Sequence, residues 1–116
     1  MLAVVTKRLF ALGLLAVLTL PAVTTRIYAS DEVEYFAFLR SLAFDHDLSF
    51  ENEYQHFHEA GAGGAGFHAT FLEERYTQAG RRLNFATIGP ALLWAPFYFA
   101  GHVAAGVLGA PQDGYS

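Results

Sequence analysis

The chain has 116 residues, 53% of them hydrophobic and 16% charged, a size that fits one small domain and a balance greasier than an ordinary water-soluble one carries. Acidic residues outnumber basic ones to give a net charge of −4, and no basic stripe follows the chain, which argues against nucleic-acid binding. Without cysteine there is no disulfide framework, thiolate nucleophile or Cys-ligated metal, and the 16% aromatic content demands burial in protein or lipid.

Residues 1–8 read as a short cytoplasmic N-terminus. No charge falls between Arg8 and Arg26, so 9–29 is predicted as a first transmembrane helix. A secretory signal peptide competes, with Lys7 and Arg8 as its basic region and Leu9–Leu20 as its apolar core; bulky Ile27 makes Ile27-Tyr28-Ala29 a poor cleavage site. Residues 30–82 hold nearly all the acidic side chains and read as an outer, periplasmic loop. In it, Tyr35, Phe38, Leu39 and Leu42 fall on one helical face with Val33 and Phe36 beside them, predicting an amphipathic juxtamembrane helix over 30–44 that lies in the interface or under neighbouring loops. Asp31 and Glu34 have the spacing of a capping box.

Farther along, His56-Phe57-His58 suits an extended loop, Gly61–Gly66 a flexible turn, and Phe67–Tyr76 a second short helix. Residues 83–110 carry no formal charge and are predicted as a second transmembrane helix. Pro90 and Pro96 imply a kink or a late start, and Gly101, Gly106 and Gly109 with Ala104 and Ala105 leave a smooth face for a partner helix. His102 in this block calls for a hydrogen-bonding partner. Residues 111–116 form the tail. The fold class expected from these elements is an all-α membrane protein: two transmembrane helices flanking an extramembrane loop with short amphipathic helices, N-terminus inside.

The acids Asp31 and Glu32 stand at the junction of the first apolar block and the predicted helix. A carboxylate at a water–lipid boundary is placed for general-base work, while the bland alternative makes Asp31 a helix cap and Glu32 a charge favoured by the helix dipole. Arg81 and Arg82, at the mouth of the second apolar block, match phosphate oxygens as substrate-binding forks or simply reach for head groups. Asp45-His46-Asp47, His56, His58 and His68 offer metal-ligating atoms, but without a fixed geometry no metal site and no cofactor is assigned; a divalent ion is a lesser alternative, and Asp45 and Asp47 serve equally to order a turn.

The runs DEVEYFAFLRSLAFDHDLSFENEY and ATFLEERYTQAGRRLNFATIGPALLWAPFYFAGH resemble the N-terminal portion of bacterial integral-membrane glycosyltransferases of the GT-C type, relatives of the protein mannosyltransferases and the aminoarabinose transferases. The resemblance covers almost the whole chain. It is carried by the Asp31-Glu32 pair, the segment Ser41–Leu48 and IGPALLWAPF at Ile88–Phe97. It implies a truncated GT-C-like fold, multi-pass residence in the bacterial inner membrane, a polyprenyl-phosphate sugar as donor, inversion at the anomeric carbon, and Asp31 as catalytic base with Glu32 positioning the acceptor. Such enzymes are several times longer, so this piece is expected to be inactive alone and to need missing downstream transmembrane helices or a partner helix. The alternatives are a small non-enzymatic two-span protein with an acidic partner-binding loop, and a secreted domain.

Overall fold

The structure, a computed structural model, describes residues 2–19 and 26–115. Five α-helices follow one another among these: α1 (Leu2–Thr19), α2 (Ser30–Arg40), α3 (Glu51–Glu59), α4 (Gly64–Leu72) and α5 (Ile88–Val107). The Tyr76–Arg82 turn is closed by an antiparallel bridge between its ends, with Thr77 N donating to Arg81 O at 2.7 Å.

Helix α2 is the hub, touching α3, α4 and α5. Val33 and Ala37 are fully buried on it and Leu39 nearly so, and their spacing of four and two residues wraps burial around more than one face. That makes α2 a core helix covered by its neighbours, where the sequence stripe predicted one lying in the interface or under neighbouring loops. Phe50, Tyr54 and Phe57 from α3 and its approach, and Phe67 from α4, complete the core around Val33 and Ala37. The rings meet edge to face, Tyr54 to Phe67 at 5.5 Å and Phe38 to Phe50 at 5.0 Å, the arrangement that ring quadrupoles favour. Truncating fully buried Phe67 to alanine is worth about 3–5 kcal/mol in a site of this kind.

The chain leaves α2 through a wider π turn over Ser41–Asp45, ended by left-handed His46 (φ 57°). Ser41 Oγ donates to Asp47 Oδ1 at 2.8 Å, and the same carboxylate accepts from Ser49 N at 2.9 Å. The acidic turn is thereby tied to its own backbone, the ordering role open to Asp47. Between α3 and α4 the chain reverses at glycines; Gly63 has φ +80°, and a Cβ there would stand 2.8 Å from Val33 Cγ2, so only glycine lets the turn lie on the core.

Helix α5 docks by one stripe on α2 and on the Ser41–Asp45 turn that follows it. Ala91 is buried, Trp94 meets Tyr35 at 5.7 Å, Tyr98 meets Phe36 at 5.6 Å, and His102 meets Phe44 at 5.0 Å. The tail folds back onto the body, with Gly114 O accepting from the Tyr98 hydroxyl at 2.7 Å and the Tyr115 ring stacked on His56 at 3.7 Å.

The membrane reading is overturned. Among the described residues no helix is long and apolar enough to cross a membrane, so the two-span, truncated GT-C-like fold, the transmembrane assignments of 9–29 and 83–110 and the multi-pass inner-membrane localisation are corrected. Two physical reasons stand out. Helix α1 begins at Leu2 and takes Lys7 and Arg8 inside it, so its uncharged part from Leu9 to Thr19 reaches only about 16 Å of a roughly 30 Å hydrocarbon core. Arg26–Ala29 is not helical but leads into α2, and positions 20–25 lie outside the described residues. Helix α5, with 20 residues, has the length, but Pro90, Pro96, three glycines, Tyr98 and His102 dilute its apolar character. Both helices still expose large apolar side chains, Phe10 and Leu18 on α1 and Leu93, Phe97 and Val107 on α5 among them.

Candidate functional site

Asp31 and Glu32 lie in the first turn of α2 and have different surroundings. Ser30 has already turned helical and Ala29 is the N-cap, so the cap predicted at Asp31 sits two residues earlier. The alanine side chain cannot accept a bond, and Glu32 performs the side-chain capping alone: its Oε2 accepts from Tyr28 N at 2.7 Å and from Ala29 N at 3.3 Å. Asp31 is exposed. Among the described residues no hydrogen bond or ion pair engages its carboxylate, although its charge helps burial hold Glu34, behind it on the same helix, above the ordinary carboxylate range.

Beside this helix start lies a half-open cavity of about 770 Å³ bounded by Ile27, Tyr28, Phe36, Phe57, Tyr115 and the glycine turn 61–64, with Arg26 its one charged wall residue. Tyr28 joins the two features, since its backbone is held by Glu32 while the residue lines the cavity. The Gly63 N–H donates to Ile27 O at 3.1 Å and fixes the opposite wall. Neither cavity nor glycine wall was visible from sequence, because the residues come from four separate stretches.

The two arginines part company. Arg82 is buried; its Nε and Nη2 donate to both oxygens of Glu51 at 2.8 and 2.7 Å, and its Nη1 to Phe71 O at 2.8 Å. The rings of Phe71 and Tyr76 lie 4.6 and 5.1 Å from its guanidinium carbon. It is a clasp between α3, α4 and the 76–82 turn, closed to a phosphate. Arg81 is exposed, its backbone N–H held by Thr77 Oγ1. No hydrogen bond or ion pair among the described residues joins Asp31 to either arginine, so the residues singled out from sequence do not form one constellation.

A second arginine organises acids that sequence reading left unpaired. Arg40 Nη1 lies 2.7 Å from both Asp45 Oδ2 and Glu53 Oε1, its Nε donates to Asp113 O at 3.0 Å, and its guanidinium covers the Tyr115 ring at 4.2 Å. Glu53 is fully buried and its Oε2 has no hydrogen-bond partner among the described residues; burial outweighs the Arg40 hydrogen bond and pushes its carboxyl up to about 7. Such a proton-holding acid is of a kind found at functional sites, but here it is enclosed by the core.

The histidines are also scattered by role. His56 stacks on Tyr115, His102 has a buried Nδ1 without a hydrogen-bond partner among the described residues, and His58 faces His68 with the two Nδ1 atoms 2.7 Å apart. Helix α3, predicted as extended loop, brings the last pair together. No group of three or more metal-ligating side chains occurs among the described residues.

Comparison with family models, curated proteins and solved structures finds no match to the chain.

Proposed function

We propose that this chain contributes the acceptor-activating corner of a glycosyl-transfer site whose remainder comes from other polypeptide segments. The observation that carries the reading is the division of labour between neighbouring acids: Glu32 is committed to the Tyr28 backbone that walls the cavity, and Asp31, the preceding residue on α2, is exposed and uncommitted. The resemblance of the Asp31-Glu32 segment to the GT-C enzymes supplies the chemistry. An acceptor ring stacks on the aromatic walls, Asp31 takes the proton of its hydroxyl, the oxygen forms a bond to the anomeric carbon from the face opposite the leaving group, and the bond from that carbon to the donor phosphate breaks, the electron pair leaving with the phosphate. Arg81 is the one of the two sequence-selected arginines open to a phosphate oxygen. Glu32 positions through Tyr28 and touches no substrate.

The test is incorporation of labelled sugar in cells that depend on the natural gene. Asp31→Asn lowers it by about 10²–10⁴-fold, the usual worth of a general base, with the protein present at normal level. Near-normal incorporation with Asp31→Asn removes the assignment.

A second reading, a non-enzymatic interaction protein, rests on a separate observation: α5 turns its aromatic stripe inward and leaves Leu93, Phe97 and Val107 outside, Phe97 80% exposed, a surface suited to a partner helix. Under that reading Phe97→Asp removes function and Asp31→Asn leaves it intact.

A further inference from the structure

We propose that His58 and His68 form a two-imidazole site for a divalent transition-metal ion of the zinc class, separate from the Asp31 corner. The two Nδ1 atoms point at each other across the gap between α3 and α4 at 2.7 Å. At that separation one ring must carry its proton on Nδ1 and the other must present a lone pair. The N–H of one ring and the lone pair of the other are therefore aimed at the same gap, and a cation that takes the place of the shared proton would occupy it.

The ring planes are held. His58 is stacked on Phe71 at 4.3 Å, tilted by 20°, and the rings of His58 and His68 are 4.7 Å apart. The sequence separation is ten residues, bridged by the glycine turn whose fold is fixed by Gly63 against Val33. Both side chains are half-buried, so the outer side of the pair is open to water, which fills the positions the protein leaves vacant. With metal–nitrogen bonds of about 2.0–2.1 Å, two imidazoles of a tetrahedral centre stand about 3.4 Å apart. The rings need to separate by about 0.7 Å, a small rotamer adjustment on helices of nine residues each.

The proton count closes without a co-reactant. The donor ring moves its Nδ1 proton to its own Nε2 through solvent, so both rings remain neutral and both offer Nδ1 to the ion. Nitrogen donors select Zn²⁺ or Cu²⁺ over Mg²⁺ and Ca²⁺, which want oxygen. Arg82, which lies on the Phe71 ring, is paired with Glu51, and the chain's net charge of −4 favours a cation.

Titration of the full chain with zinc chloride at neutral pH, followed by calorimetry and by nitrogen NMR of the histidine rings, decides the matter. Expected is one ion per chain, with the Nδ1 signals of His58 and His68 alone shifted. His58→Ala and His68→Ala each weaken binding by more than about tenfold, whereas His46→Ala and His56→Ala do not, and magnesium chloride gives no heat. Unshifted Nδ1 signals in the unaltered protein, or zinc binding indifferent to both substitutions, overturns the assignment; the ring signals need no variant and so stand even where a substitution unfolds the chain.

Discussion

Arg82 and Glu51 form a two-bonded fork in which the guanidinium is buried and the carboxylate is half open, with side-chain exposures of 3% and 43%. The asymmetry dictates the outcome of breaking it. Glu51→Ala strands a buried cation among Tyr54, Phe71 and Tyr76, whereas Arg82→Met replaces it by an apolar side chain of similar length and lets Glu51 hydrate. Glu51→Ala is expected to cost about 2–4 kcal/mol and Arg82→Met about half as much, measured by urea unfolding; equal losses would show that the fork's Coulomb attraction, not the stranded guanidinium, sets the cost.

Glu53 makes stability depend on pH with a definite sign. Between its ordinary 4.5 and about 7 the folded chain holds a proton that the unfolded chain has released. Stability therefore falls as pH rises through that window and levels off above it, by roughly 2–3 kcal/mol. Burial of Glu34 acts in the same direction. Below about pH 4.5 the sign reverses: Glu51 is held low by Arg82, and Asp45 is held low because hydrogen bonds from Asn52 and Glu53 together with the Arg40 charge outweigh its burial, and their contribution is lost as these carboxylates protonate. Glu53→Gln should flatten the fall between pH 5 and 7 in thermal unfolding curves; an unchanged slope would assign it to another group.

The glycine turn gives a paired comparison. An alanine at Gly63 meets Val33 and Phe67 below 3.0 Å, while at Gly61, with φ +68°, it meets nothing within 4 Å. Gly61→Ala carries the left-handed backbone penalty alone, about 1 kcal/mol, and Gly63→Ala that penalty plus the clash, about 2–4 kcal/mol. Melting temperatures in the reverse order would mean that the turn moves off the core.

Stability also separates the two acids at the start of α2. Glu32→Ala releases the Tyr28 and Ala29 amides and costs about 1 kcal/mol, whereas Asp31→Asn stays within about 0.5 kcal/mol, since a surface charge at a helix start is worth little. A large loss with Asp31→Asn in urea titrations would make Asp31 a structural residue.

Helix α2 was legible because a dense run of apolar side chains at helical spacing needs no distant partner to declare itself, and α5 starts at Ile88, late in its apolar block, as its prolines suggested. The first apolar block imitates a span because hydropathy registers where charge stops, not where a helix begins, and α1 begins before Lys7. The second helix ends at Leu72 rather than Tyr76 because Glu74 takes a left-handed turn (φ 49°) and Arg82 pulls the chain back. Helix α3 is hard to see in sequence because the alternating histidines of His56-Phe57-His58 suit an extended loop, while its helical signal rests on Tyr54 and Phe57 alone, three residues apart on one face. The acid pair falls in the first turn of α2, where the apolar stripe begins, but its division of labour depends on where Ser30 enters the helix, and the cavity and the His58–His68 pair depend on turns that pattern alone does not fix.

The core residues from Val33 to Phe67 belong to one continuous stretch, whereas α5 reaches α2 only after the long excursion through the 76–82 turn. Neighbours in sequence close small loops cheaply and distant ones late. The α2–α4 unit is thus a self-reliant nucleus to which α5 and the tail are added as a strap, and amide hydrogens of α2 should outlast those of α5 in exchange with heavy water, so that the outward aliphatic face of α5 belongs to the part of the chain that opens first.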